Sequence, residues 1–146
     1  MRKIVVGGIT AALGVSVALS TGAFAGGNGA QRSGLSPTQG NGNNQCVAGS
    51  GAGTNGFTIV NAPGKPGAAR FVNGEVSLKR GAPNSAYTVW IGDSANNCTP
   101  DGALATNEVG NGNAHLDTAG TSGTYYVVLQ DAQGNEQFAS APVDAN

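Results

Sequence analysis

The chain has 146 residues, only 10% of them charged, and its 7 basic and 8 acidic side chains leave a net charge of −1. Loss of an N-terminal export signal containing Arg2 and Lys3 leaves five basic against eight acidic residues, a net charge near −3. A surface this weakly acidic argues against the basic patch that nucleic acids and anionic membranes require. We therefore expect neither of them as a partner of the mature protein.

The N-terminus, residues 1–25, has the pattern of a cleavable secretory signal peptide. Two basic residues precede an uncharged, apolar run over residues 4–19, and Ala23-Phe24-Ala25 supplies the small-x-small pattern that signal peptidase reads. A membrane-spanning helix is the alternative, but it needs about 20 apolar residues, and this run is shorter and interrupted by glycine. We expect cleavage after Ala25 and release outside a bacterial cell.

The mature N-terminus, residues 26–45, consists mostly of Gly, Asn, Ser and Gln. Such a segment cannot bury enough apolar surface to offset its conformational entropy. The composition predicts a flexible arm over residues 26–45, followed by one folded domain over residues 46–146.

The domain has the alternating pattern of β-strands and no segment of helical periodicity. Residues 124–130 are apolar on both faces, which predicts a central strand, and residues 63–67 and 131–135 have turn composition. About seven strands are predicted, over residues 57–60, 70–79, 86–91, 104–109, 114–118, 124–130 and 136–142. This pattern predicts an all-β fold, an Ig-like antiparallel sandwich with a flexible N-terminal arm, or less readily a small barrel.

Two cysteines, Cys46 and Cys98, fall in the mature chain. In an exported protein an even pair predicts one disulfide bond. The alternative, a redox or metal-binding thiol pair, lacks a C-x-x-C spacing and has a single histidine available.

The stretch over residues 76–91 resembles one found in Ig-like and fibronectin type III-like sandwiches. In those domains a turn with Pro leads, four positions later, to a strand-opening Tyr, and Pro83 and Tyr87 match that spacing. The resemblance implies a tyrosine corner, in which the Tyr87 hydroxyl bonds back to the preceding backbone. Gly81 departs from the family, which usually has a large apolar residue two positions before the Pro.

Residues 92–99 resemble the Gly-Asp loop, with its disulfide cysteine, of copper-zinc superoxide dismutases and the related CHRD-like domains. The resemblance implies a shared scaffold only. The preceding strand carries no histidine where the dismutases have paired ligands, and His115 alone cannot build a copper-zinc site.

Catalytic chemistry has few candidates in this sequence. His115 is the single imidazole and shares a predicted strand face with Asp117, an arrangement that could be half of a metal site or a surface histidine beside a carboxylate. No G-x-S-x-G occurs, and both thiols are assigned to a disulfide. We therefore expect no enzyme and no cofactor.

Calcium is the metal for which the loops offer the most oxygen atoms. Asp93, Asn96 and Asp101 lie in one loop with Asn97, and a second loop contains Asp131, Asn135 and Glu136. Neither loop matches the EF-hand pattern, and turns favour Asp and Asn for their own backbone geometry. These residues are weak calcium candidates.

Trp90 is the candidate binding residue. If Tyr87, Val89 and Ile91 face the core, Trp90 points outward, where an indole can stack on a sugar or anchor a protein. The alternative is that a neighbouring loop covers it.

The sequence thus predicts a secreted noncatalytic binding or surface-associated module for a cell-surface polysaccharide or protein. Two alternatives stay open: a structural or matrix component without a discrete ligand, and a small enzyme or inhibitor that uses loop carboxylates. An exposed patch around Trp90 would favour the first, featureless polar faces the second, and a deep pocket with converging carboxylates the third.

Overall fold

The computed structural model describes residues 29–38, 46–62, 71–120 and 122–145, so the predicted signal peptide and the predicted turn at 63–67 lie outside the described residues. Every regular element in these ranges is a β-strand. None of the described residues forms a helix that could span a bilayer. The strands are β1 Gln31–Pro37, β2 Gly56–Asn61, β3 Phe71–Leu78, β4 Ala86–Asp93, β5 Cys98–Ala105, β6 Gly112–Ala119, β7 Gly123–Gln130, β8 Glu136–Ser140 and β9 Val143–Ala145.

All strand pairs are antiparallel, and the strands follow the order β5-β4-β7-β8-β1-β2-β3-β6, with β9 beside β7. The two ends of this path, β5 and β6, meet where the Asp117 backbone N–H donates to the Asp101 carboxylate oxygens at 3.0 and 3.2 Å. The sheet is thus nearly closed into a barrel. The all-β prediction is confirmed, whereas the described residues form nine strands rather than about seven, and the Ig-like sandwich is not confirmed.

β1 is a strand that the sequence analysis placed in a flexible arm, and for residues 31–37 that prediction is wrong. The first half of β1 pairs with β2 and the second half with β8, so β1 joins the two halves of the sheet. Leu35 is fully buried, and Ser33 and Ser36 are also buried. Backbone ladders on both sides stabilise a strand whose side chains offer little apolar surface. The folded domain therefore begins before Cys46, and residues 39–45 lie outside the described residues.

The core lies inside the nearly closed sheet and consists of aliphatic side chains with two aromatic rings. β7 is buried from Tyr126 to Gln130 and pairs with β4, β8 and β9, which confirms the predicted central strand. Fully buried members from the other strands include Leu35, Val60, Val72, Val76, Leu78, Leu104 and Leu116.

Candidate functional site

Trp90 points to the outer face of β4, as predicted, because its neighbours Val89 and Ile91 are buried in the core. The indole is half-buried and packs against a small apolar cluster outside the barrel, formed by Tyr126, Val128 and Ala139. Its Nε1 atom is buried without a hydrogen-bond partner among the described residues. Much of the ring therefore serves packing, and only part of it faces solvent.

The segment that covers this cluster is the strap, residues 46–50, whose Cys46 and Ala48 pack on the same apolar side chains as Trp90. The predicted Cys46–Cys98 disulfide is present, with the Cα atoms 6.3 Å apart, and ties the strap to the start of β5. The Gly49 N–H donates to the Ser140 carbonyl at 2.8 Å. The strap is thus fastened at both ends across the outer face of the sheet.

Tyr126, on the sheet beneath the strap, holds the strap by a hydrogen bond. Its hydroxyl donates to the Cys46 carbonyl at 2.9 Å. Its ring lies over Gly92, the residue opposite it on β4, so closely that a Cβ at Gly92 would come within 2.2 Å of the ring. Glycine is therefore required at this position of the Gly-Asp loop. Burial raises the pKa of the Tyr126 hydroxyl, and the Asp93 and Glu136 carboxylates raise it further.

Glu136 is the third fastener of the strap and is only 2% exposed. Its Oε2 accepts the Val47 N–H at 2.9 Å. Burial raises the pKa of the Glu136 carboxyl, and the bonds from Val47 and Thr38 only partly offset this. Glu136, considered above as an oxygen ligand for calcium, thus bonds the strap instead.

Three hairpin loops share one geometry, over residues 93–97, 107–111 and 131–135. In each, the first residue is Asp or Asn, and its Oδ1 accepts the backbone N–H groups two and four positions later at 2.9–3.1 Å. The fourth residue has a positive φ: Asn96 at 60°, Gly110 at 77° and Gly134 at 79°. We call these loops the Asx turns. Their common sequence, Asp/Asn-x-x-Asn/Gly-Asn, is a signal from which all three turns could be predicted.

The calcium candidates Asp93 and Asn96 belong to the first Asx turn. Hydrogen bonds from the Asn97 side chain and backbone, with a further one from Ala95, lower the pKa of the Asp93 carboxyl. Both of its oxygens accept bonds inside its own turn. Asn96 occupies the positive-φ position. The two residues therefore have a structural role in the hairpin.

Asp101, the third calcium candidate, is the extra residue of a β-bulge, since Val89 pairs with Gly102 and Trp90 with Pro100. The bulge turns its carboxylate towards the Asp117 N–H on β6. Burial raises the pKa of the Asp101 carboxyl, opposed by the Asp117 N–H and supported by the Asp117 charge. Within the described residues, no three His, Cys, Asp or Glu side chains form a group that could hold a metal ion.

His115 and Asp117 are both exposed on the outer face of β6, as their spacing predicts. The residue opposite His115 on the neighbouring strand is Glu75. The structure therefore places His115 beside carboxylates on an open sheet face, outside the apolar cluster that the strap covers.

The predicted hydrogen bond of the tyrosine corner is present, because the Ala82 N–H donates to the Tyr87 hydroxyl at 3.0 Å. The departure at Gly81 has a steric cause. A Cβ there would lie 2.7 Å from a Leu78 methyl group, and the Gly81 N–H donates to the Gly110 carbonyl at 2.8 Å.

The third Asx turn and residues 82–87 border a cleft of about 270 Å³. Of the residues that the structure describes, Asp131 is the only charged one that lines this cleft. Desolvation by burial raises the pKa of Asp131, but hydrogen bonds from Asn135, Gln133 and Gln137 outweigh it and lower the pKa. These four bonds occupy both carboxylate oxygens. A carboxylate with four donors has no capacity left for a ligand.

Comparisons of this chain with known protein families, with curated proteins and with solved structures give no significant match.

Proposed function

We propose that the protein is an exported, noncatalytic binding or surface-associated module for a cell-surface polysaccharide or protein. The noncatalytic part of this proposal is supported most strongly by the structural roles of four carboxylates. Asp93, Asp101, Asp131 and Glu136 each accept backbone N–H bonds that fasten a turn, the barrel seam or the strap. A general base must be free to reach substrate, so these groups are poor candidates for one.

The binding part rests on the surface around the strap. The exposed part of the Trp90 indole lies beside the strap, and Val47, on the strap itself, is 47% exposed. An amphipathic ring on a rigid scaffold suits stacking on a sugar or anchoring of a protein side chain. The disulfide is compatible with an extracellular setting.

We also propose that the scaffold belongs with the Ig-like and dismutase-like sandwiches. The hydrogen bond between Ala82 and Tyr87 and the disulfide loop over residues 92–98 support this relation. The pairing of β3 with β2 differs from the A-B-E-D order of an immunoglobulin constant domain.

Cosedimentation with purified cell walls and insoluble polysaccharides of the producing cell tests the binding proposal. Trp90→Phe keeps an aromatic ring for the apolar cluster and removes the indole, so we expect about tenfold weaker binding with little loss of stability. His115→Ala, on the outer face of β6 and outside the apolar cluster around Trp90, is the matched control and should bind like the wild type. A wild-type protein that stays in the supernatant with every polymer and with surface proteins would favour the structural or matrix component instead.

A further inference from the structure

The outer face of the sheet formed by β1, β2, β3 and β6 carries a row of side chains set by strand register. Arg32 lies opposite Ile59, Ile59 opposite Glu75, and Glu75 opposite His115. The residues before and after Ile59 are buried in the core, so this row points outward. We call this surface the β2 face.

The centre line of the β2 face is apolar, because Phe57 and Ile59 both point outward from β2 and are only half-buried. The Arg32 guanidinium lies over the Phe57 ring, 4.2 Å from its centroid. Stacking uses the flat side of the guanidinium and leaves its N–H donors at the edge free for a carboxylate. Among the described residues, neither the Arg32 guanidinium nor the Glu75 carboxylate has a hydrogen-bond or ion-pair partner.

We propose that the β2 face takes a second copy of this chain. Neighbouring strands are about 4.8 Å apart, so Arg32 on β1 and Glu75 on β3 lie at equal distances on either side of Ile59. A twofold axis that runs along β2, between two facing sheets, therefore sets the Arg32 of each copy against the Glu75 of the other. The same operation stacks Ile59 on its own copy at the axis.

The neighbouring row does not take part in this arrangement. Gly34 lies opposite Phe57 on β1 and Ser77 lies opposite it on β3, but the backbone of Gly51 and Gly53 covers Gly34 from outside and Ser77 is buried. The contact between the copies is therefore centred on the Ile59 row. A four-stranded face is small compared with stable interfaces of about 1,600 Å², and we expect a weak dimer that forms at high concentration.

Sedimentation-velocity ultracentrifugation of the oxidised mature protein, over a series of concentrations, tests this proposal. We expect a reversible dimer for the wild type. Arg32→Glu and Glu75→Arg each place like charges opposite one another and should weaken dimerisation at least about tenfold. The double variant Arg32→Glu/Glu75→Arg restores opposite charges across the axis and should dimerise again.

Glu108→Lys, a charge reversal on an exposed Asx turn outside the β2 face, is the matched control and should leave the dimer unchanged. Because Arg32→Glu also removes the stacking on Phe57, thermal unfolding of each variant checks that the fold is retained, and Glu75→Arg tests the pairing without that change. A wild type that stays monomeric at every concentration would overturn the proposal. So would single variants that dimerise normally, or a double variant that does not recover. Binding through Trp90 uses another face, so it succeeds or fails independently.

Discussion

At the scale of single residues, the Ser140 side chain supplies a hydrogen-bond acceptor where the strand ladder is interrupted. β8 ends at Ser140 and β9 begins at Val143, so the Val127 N–H on β7 has no backbone partner on that side. The Ser140 hydroxyl accepts this N–H at 2.9 Å, and Ser140 is fully buried. The side chain thus replaces a missing backbone acceptor inside the protein.

Ser140→Ala should therefore lower the free energy of unfolding by about 1–3 kcal/mol, because it leaves a buried N–H unsatisfied. Urea denaturation measures this difference. Ser94→Ala, on an exposed turn, is the matched control and should change stability little. Equal stabilities of the two variants would show that the Val127 N–H has another partner.

Glu136 makes stability depend on pH in the direction opposite to most carboxylates. Burial raises the folded pKa of the Glu136 carboxyl above its ordinary value of 4.5. A carboxyl with a raised folded pKa contributes its full stability below pH 4.5 and loses it as the pH rises through the folded pKa. Glu136→Gln keeps an oxygen for the Val47 N–H and cannot ionise, so its stability should fall less than that of the wild type over that interval. Urea denaturation across this pH range measures the free energy of unfolding of both proteins. Parallel curves of this free energy against pH would contradict the role of Glu136.

At the scale of elements, the Asx turns should respond to acid in the usual direction. The pKa values of Asp93 and Asp131 are lowered from 3.8, so their contribution is present above pH 3.8 and is lost as the pH falls through the folded values. The Asn107 turn already uses a neutral amide in the same position. The double variant Asp93→Asn/Asp131→Asn should therefore lose less stability on acidification than the wild type. Circular dichroism during acid titration measures this, and a double variant that unfolds over the same pH range as the wild type would contradict it.

The strands that the sequence predicts well are those with a clear apolar pattern. β4 alternates Tyr87, Val89 and Ile91 into the core, and β7 is apolar throughout. The apolar pattern predicts β5 too far along the chain, over residues 104–109. It does so because most of Cys98–Ala105 is exposed and only Leu104 enters the core. The alternating pattern does not predict β1, because its single large apolar residue stands among Gly and Ser residues.

At the scale of the whole molecule, the sequence predicts the components of the site better than their arrangement. The disulfide pair, the outward direction of Trp90 and the Tyr87 hydrogen bond follow from residue count, alternation and a turn motif. The strap does not, because nothing in residues 46–50 indicates which sheet face they cross. The roles of the acidic residues were also hidden, since they depend on backbone N–H groups brought close by folding.

Export is a further property of the whole chain. Cleavage after Ala25 should release a mature protein that begins at Gly26 and carries the Cys46–Cys98 bond. Intact-mass spectrometry of culture medium, with and without reductant, checks both features at once. A chain that retains Met1 and remains in the membrane fraction would contradict the predicted signal peptide.

We conclude above all that the disulfide-fastened strap covers the outer face around Trp90 and makes this part of the protein a rigid scaffold. Trp90 is the only tryptophan, so acrylamide quenching of tryptophan fluorescence reports on the surroundings of Trp90 alone. We predict weak quenching in the oxidised protein and stronger quenching in Cys46→Ser/Cys98→Ser, with the β-sheet circular dichroism retained. An oxidised protein whose Trp90 is quenched as strongly as a free indole would contradict the claim and leave the ring fully open to a ligand.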